Sequence, residues 1–114
     1  MVEVPALFVH WEGFVRWLLV KTAGFPKRLR PALTARIEGH ALDVFEAIVE
    51  ARYDVDRIAA LRRVNLGLEK LRLLMRLAHD LGALDHHAFE SAAHQVETAG
   101  RMTGGWLKQA GGPT

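Results

Sequence analysis

The sequence predicts an all-α fold, an up-down-up-down four-helix bundle, and three observations carry that prediction. Apolar residues recur at three and four positions along most of the 114-residue chain, and no stretch alternates with the period of a strand. Proline, glycine and aspartate fall where helices would start or stop. The connections at 53–56 and 82–85 are short enough that the helices they join must be antiparallel neighbours. Half of the residues are hydrophobic, enough for one compact domain with a real core.

The first helix is expected over about 6–22, halted by Gly24-Phe25-Pro26. Its large apolar residues Leu7, Phe8, Trp11, Phe14, Val15, Trp17, Leu18 and Leu19 cover more than one face, which predicts burial beyond the monomer. A longer connection over 23–30 leads to the second helix, about 31–53. Pro31 suits its first turn, and Leu33, Ile37, Ala41, Val44, Phe45 and Ile48 mark its buried face.

The third helix, about 56–81, is capped by Asp54 or Asp56. Leu61, Val64, Leu68, Leu71, Met75 and Ala78 repeat 3-4-3-4-3, the spacing of a bundle seam. At 100° per residue, Leu66, Leu73 and Leu77 fall on nearly the opposite side. A bundle helix needs one apolar stripe, so the second predicts an oligomer interface. A polar stripe lies between them: Arg62, Asn65, Glu69, Arg72, Arg76 and His79. Glu69 can pair with Arg72 or Arg62, while Arg76 has only Asp80 within helical reach. The fourth helix follows the capping residue Asp85 and covers about 86–110. The tail Gly111–Thr114 is expected to be loose.

The formal net charge is only +2, but it is unevenly spread. From Gly13 to Ile37 there are six cations (Arg16, Lys21, Lys27, Arg28, Arg30, Arg36) and no acid. Arg57 to Arg76 holds six more against Glu69 alone, and acids gather from Glu38 to Asp56. Such a chain can present a strongly basic face, suited to phosphate and indifferent to base sequence. No zinc finger, aromatic strand motif or helix-turn-helix signature accompanies it.

Other chemistries find little support. Without cysteine there is no disulfide or thiolate site, and a reducing cytoplasm is the expected compartment. Met1–Pro5 lacks the marks of a signal peptide. The apolar run 14–20 is broken by Arg16 and too short for a bilayer, so no membrane partner is expected. His86 and His87 diverge on a helix, and no Glu-x-x-His pair sits on two helices, so no metal or other cofactor is expected. Ser91 and the threonines Thr22, Thr34, Thr98, Thr103 and Thr114 lack a base and an orienting group, and no enzymatic activity is expected. Gly104-Gly105 is expected to permit close helix approach beside Trp106.

Several segments resemble one family in order and spacing. Phe25-Pro26-Lys27-Arg28 looks like its bulky-apolar, proline, basic, basic turn. Gly67-Leu68, Leu71-Arg72 and Arg76 resemble its third helix. His94-Gln95-Val96-Glu97-Thr98-Ala99 looks like the opening of its fourth helix, and Gly105-Trp106-Leu107 like its close. The family is that of the accessory variability determinants of diversity-generating retroelements. The resemblance implies a non-catalytic four-helix bundle, assembled into a homopentameric barrel. It also implies two partners: a reverse transcriptase, and the RNA and DNA of mutagenic reverse transcription. By resemblance, Arg72 and Arg76 match the family's functional arginines and Lys27 and Arg28 its basic turn; Arg62, Arg63 and Lys70 complete the expected binding surface. The tail lacks the basic residues associated with the family. Two alternatives stand beside this reading. One is a bundle protein of the ribosomal-RNA intervening-sequence type, whose Asn-Ile-Ala-Glu-Gly-like segment is echoed by Ala35-Arg36-Ile37-Glu38-Gly39-His40. The other is an enzyme or ligand carrier using the histidines.

Overall fold

A computed structural model describes residues 5–53 and 55–111. Four helices run α1 (Ala6–Ala23), α2 (Ala35–Tyr53), α3 (Arg57–Asp80) and α4 (His86–Gln109), with no strand among the described residues. Each helix packs on its chain neighbour, and α1 closes the ring against α4. The result is an elongated bundle of about 42 × 22 × 20 Å. Pairings along the seams give the directions. Thr22 near the end of α1 meets Glu38 near the start of α2, Glu50 meets Arg63 across α2 and α3, and His79 stacks on Phe89 across α3 and α4. These are the antiparallel neighbours expected of an up-down-up-down bundle.

Local chemistry sets the ends. The Asp56 carboxylate accepts from Ala59 N–H and that of Asp85 from Ala88 N–H, each satisfying a donor that the first helical turn leaves open. Asp54, the other candidate cap, lies outside the described residues, as does the tail from Gly112. At the end of α3, Ala83 N–H donates to Ala78 O and Gly82 N–H to His79 O, with Gly82 at φ 79°. This paired arrangement needs a left-handed residue, which glycine adopts without penalty, and it makes the α3–α4 turn tight.

The start of the second helical segment differs from expectation. Lys27–Leu29 forms a 3-10 turn and Arg30–Thr34 a π turn, and regular α-helix begins only at Ala35. Pro31 cannot donate a backbone hydrogen bond, and the local ladder widens around it. The His94–Ala99 segment, compared above with a helix opening, lies inside α4 and begins two turns after His86.

The core joins Leu7, Trp11, Phe14, Val15 and Leu18 of α1 to the seam residues of the other helices. All six seam residues of α3 are buried. Trp11 donates its indole N–H to Ala41 O at 2.9 Å, so the buried ring leaves no polar atom unmet. The expectation for α1 is corrected here. Five of its eight large apolar residues are buried within the monomer, and Phe8 and Trp17 pack against the core, leaving Leu19 exposed.

Two glycine sites behave oppositely. A Cβ placed on Gly67 would lie 2.5 Å from Val44 Cγ2, so α2 and α3 approach closely only because position 67 has no side chain. At Gly104 and Gly105 an added Cβ would meet nothing within 4 Å. The close-approach role expected of that pair is therefore not served within the monomer; it belongs to Gly67. Gly67→Ala should lower stability by about 1–2 kcal/mol, the overpacking penalty less the gain in helix propensity. Thermal unfolding should shift down by several degrees. An unchanged midpoint would mean that Val44 moves aside freely.

Candidate nucleic-acid and protein interface

The seven candidate cations fall into three groups. Lys27 and Arg28 are exposed on the 3-10 turn between α1 and α2. Arg72 and Arg76 lie toward the C-terminal half of α3, on the half of the bundle nearer that turn. Arg62, Arg63 and Lys70 lie nearer the middle and N-terminal half of α3. From Arg62 to Arg76 is fourteen residues, about 21 Å of helix at 1.5 Å each.

Their electrostatic states differ. Arg72 chelates Glu69, donating from Nε at 3.3 Å and from Nη2 in a closer contact. Arg63 reaches across to α2 and binds Glu50 at 2.6 Å. Both are half-exposed pairs, which contribute little to stability but neutralise much of the guanidinium charge. Among the described residues, Arg62, Lys70 and Arg76 stand in no ion pair; Asp80 lies 3.8 Å from His79 instead. The α3 surface thus has free cations at 62, 70 and 76 and masked ones at 63 and 72.

Leu66, Leu73 and Leu77 remain 57%, 49% and 47% exposed. At 100° per residue they project opposite the buried seam. Arg63 and Lys70 flank them on the α2 side, and Arg62 and Arg76 on the α4 side. The outer face of α3 is therefore an apolar ridge rimmed with cations, while α2 next to it turns Asp43, Glu46 and Glu50 outward.

A groove of about 610 Å³ runs between α3 and α4. Leu68, Val96, Ala93 and Gly100 form its apolar lining; Arg72 with Glu69 and Arg101 with Glu97 stand as charged pairs along it. Arg101 lies outside both basic runs and carries no mark in the sequence that would join it to this surface. Only the antiparallel packing of α3 and α4 puts it in the same groove as Arg72.

The histidines are dispersed or otherwise engaged. His10 Nε2 lies 2.9 Å from Gln95 O, His79 stacks on Phe89 with centroids 4.6 Å apart, and His86 pairs with Glu90. Among the described residues, no group of three or more His, Asp or Glu side chains is placed to hold a metal ion. Nor is any helix among them long and apolar enough to cross a membrane.

No curated protein and no solved structure matches the chain. A family model described as bAvd-like matches residues 8–110, nearly its whole length. That span contains the basic turn, Gly67 under Val44, the ridge of α3 and the full length of α4. The chain therefore belongs to the bAvd-like family of four-helix-bundle proteins.

Proposed function

We propose that this protein is a non-catalytic accessory subunit of a diversity-generating retroelement, which holds template RNA or DNA and a reverse transcriptase on the basic surface of a homo-oligomer. Family membership supports the accessory role. The observation that carries the surface assignment is the exposed Leu66-Leu73-Leu77 ridge with its rim of cations. Exposed leucines aligned in one stripe favour association, and a second copy is the simplest partner. A five-fold ring, implied by the family resemblance, repeats each cation five times. Weak phosphate contacts then act together. A reducing cytoplasm fits such a role and a chain without cysteine.

Two measurements test this. Affinity purification of the protein from cells expressing the retroelement should recover its reverse transcriptase. If the enzyme stays in the unbound fraction under low-salt conditions, the accessory assignment fails. Nucleic-acid affinity should fall steeply with added salt, because each phosphate contact releases a counterion. Lys27→Ala with Arg28→Ala should weaken binding to every sequence and flatten the log–log salt slope by roughly 1.4 on single strands. A slope unaltered by the double substitution would place the phosphate contacts away from the turn.

A further inference from the structure

The π turn that opens the second helical segment creates a feature the proposed function does not use. Thr34 is 5% exposed, and its hydroxyl is the only buried side-chain polar atom among the described residues without a hydrogen-bond partner. Threonine in a regular helix satisfies its hydroxyl by donating back along the helix, as Thr103 does to Ala99 O at 2.7 Å. Thr34 ends the π turn and does not do so. It lines a cavity of about 140 Å³ with Thr22, Ala23, Arg30, Ala35 and Glu38. Glu38 Oε2 accepts from the buried Thr22 hydroxyl at 2.6 Å, and Arg30 Nη2 reaches Ala23 O at 3.4 Å.

The lining selects its ligand. A carboxylate fixed at one side disfavours phosphate, and a guanidinium opposes a metal cation. Together with an unused hydroxyl they suit a neutral group that offers donors and acceptors along one edge. The volume is that of four or five waters at ~30 Å³ each, room for one flat heterocycle without its sugar. Guanine alone among the bases has two adjacent donors on its Watson–Crick edge, N1–H and the N2 amino group, which a carboxylate accepts together. Its O6 lies beside them as an acceptor for Thr34 or Arg30. Lys27 and Arg28, on the turn that leads into Arg30, would hold the flanking phosphates.

We infer that the cavity between the end of α1 and the π turn binds one unstacked guanine of a single-stranded nucleic acid, with Glu38 reading N1–H and the amino group and Thr34 serving O6. This rests on the nucleic-acid reading and adds base preference to a surface otherwise blind to sequence. Unpaired bases are what proteins read in single-stranded RNA.

The test compares a labelled ten-nucleotide oligouridine with the same strand bearing one central guanosine, by fluorescence anisotropy at fixed salt. The guanosine strand should bind about tenfold tighter, the discrimination of one good bidentate contact. Glu38→Gln should erase that ratio; the ratio is the readout because loss of a negative charge raises affinity for both strands alike. Thr34→Val should reduce the ratio severalfold without lowering the melting temperature, since it removes a hydroxyl that has no partner in the free protein. It also keeps the test valid if Glu38→Gln fails to fold. Equal affinities for the two strands would overturn the inference and leave nucleic-acid binding intact. A guanosine preference that survives both substitutions would overturn it too, placing the base elsewhere. Failure to bind either strand would overturn the nucleic-acid reading and this inference with it.

Discussion

Replacing Leu73 and Leu77 together by glutamate should convert the proposed oligomer into a folded monomer. Each leucine is about half-exposed in the single chain, so neither substitution opens a cavity, and both sit opposite the α3 seam. Helicity and the monomer core should therefore survive. In an assembly closed over the ridge, the substitution removes two buried leucines per contact and places two carboxylates against apolar surface. Lost burial contributes about 1 kcal/mol for each half-covered leucine, and an unpaired buried carboxylate costs several kcal/mol more. A combined effect of about 5 kcal/mol or more weakens each contact by roughly 10³- to 10⁴-fold or beyond. Sedimentation or light scattering should show a single small species where the unaltered protein gives a multimer. A wild-type protein that sediments as a monomer at micromolar concentration would refute the interface outright. Leu66→Glu, at the far end of the ridge, should give a smaller shift.

The architecture was legible because helix-forming signals agree at every level. The α3 seam follows from spacing alone: 61, 64, 68, 71, 75 and 78 are all buried. Asp56 and Asp85 were readable as caps because a short carboxylate before an apolar-periodic run has a specific use, accepting from an open backbone donor. The π turn at Arg30–Thr34 was not readable. Pro31 is compatible with the first turn of an ordinary helix, and which ladder forms around it depends on how the preceding turn docks. Glycine was the other weak point. Gly67 and Gly104 are alike in sequence, both within helices. What separates them is Val44, a residue of another helix, and helical periodicity carries no information on crossing distance.

The candidate site was legible in its placement along α3 and not in electrostatic detail. The Leu66-Leu73-Leu77 stripe and the Arg72 partner Glu69 follow from angular position on one helix. Arg63 could not be assigned to Glu50 in advance, since that pair joins two helices. For the same reason Arg101 was overlooked and the Thr34 cavity was invisible. The features legible in the sequence are local to one helix, and those that are not are made by two.

The second large effect concerns Arg72 and Arg76. Arg72→Ala with Arg76→Ala should abolish capture of the reverse transcriptase while leaving fold and oligomer size unchanged. Both side chains are exposed, Arg76 has no ion pair among the described residues, and the Arg72–Glu69 pair is an exposed i,i+3 contact worth at most ~1 kcal/mol, so stability should change little. The change in surface charge is larger. Each subunit loses two cations, and Glu69 is left unpartnered in the α3–α4 groove, where Glu97 still holds Arg101. That end of the groove changes from balanced to acidic, and a five-fold assembly multiplies the change by five. An acidic or nucleic-acid-bound partner should then be repelled, with the loss greatest at low salt, where charges are least screened. Glu69→Ala gives the converse. It frees the Arg72 guanidinium and removes one negative charge, so capture should strengthen, and the gain should be smaller when Arg72→Ala is already present. Undiminished capture by the folded Arg72→Ala/Arg76→Ala protein would show that the partner docks elsewhere, with the Lys27-Arg28 turn the next surface to substitute.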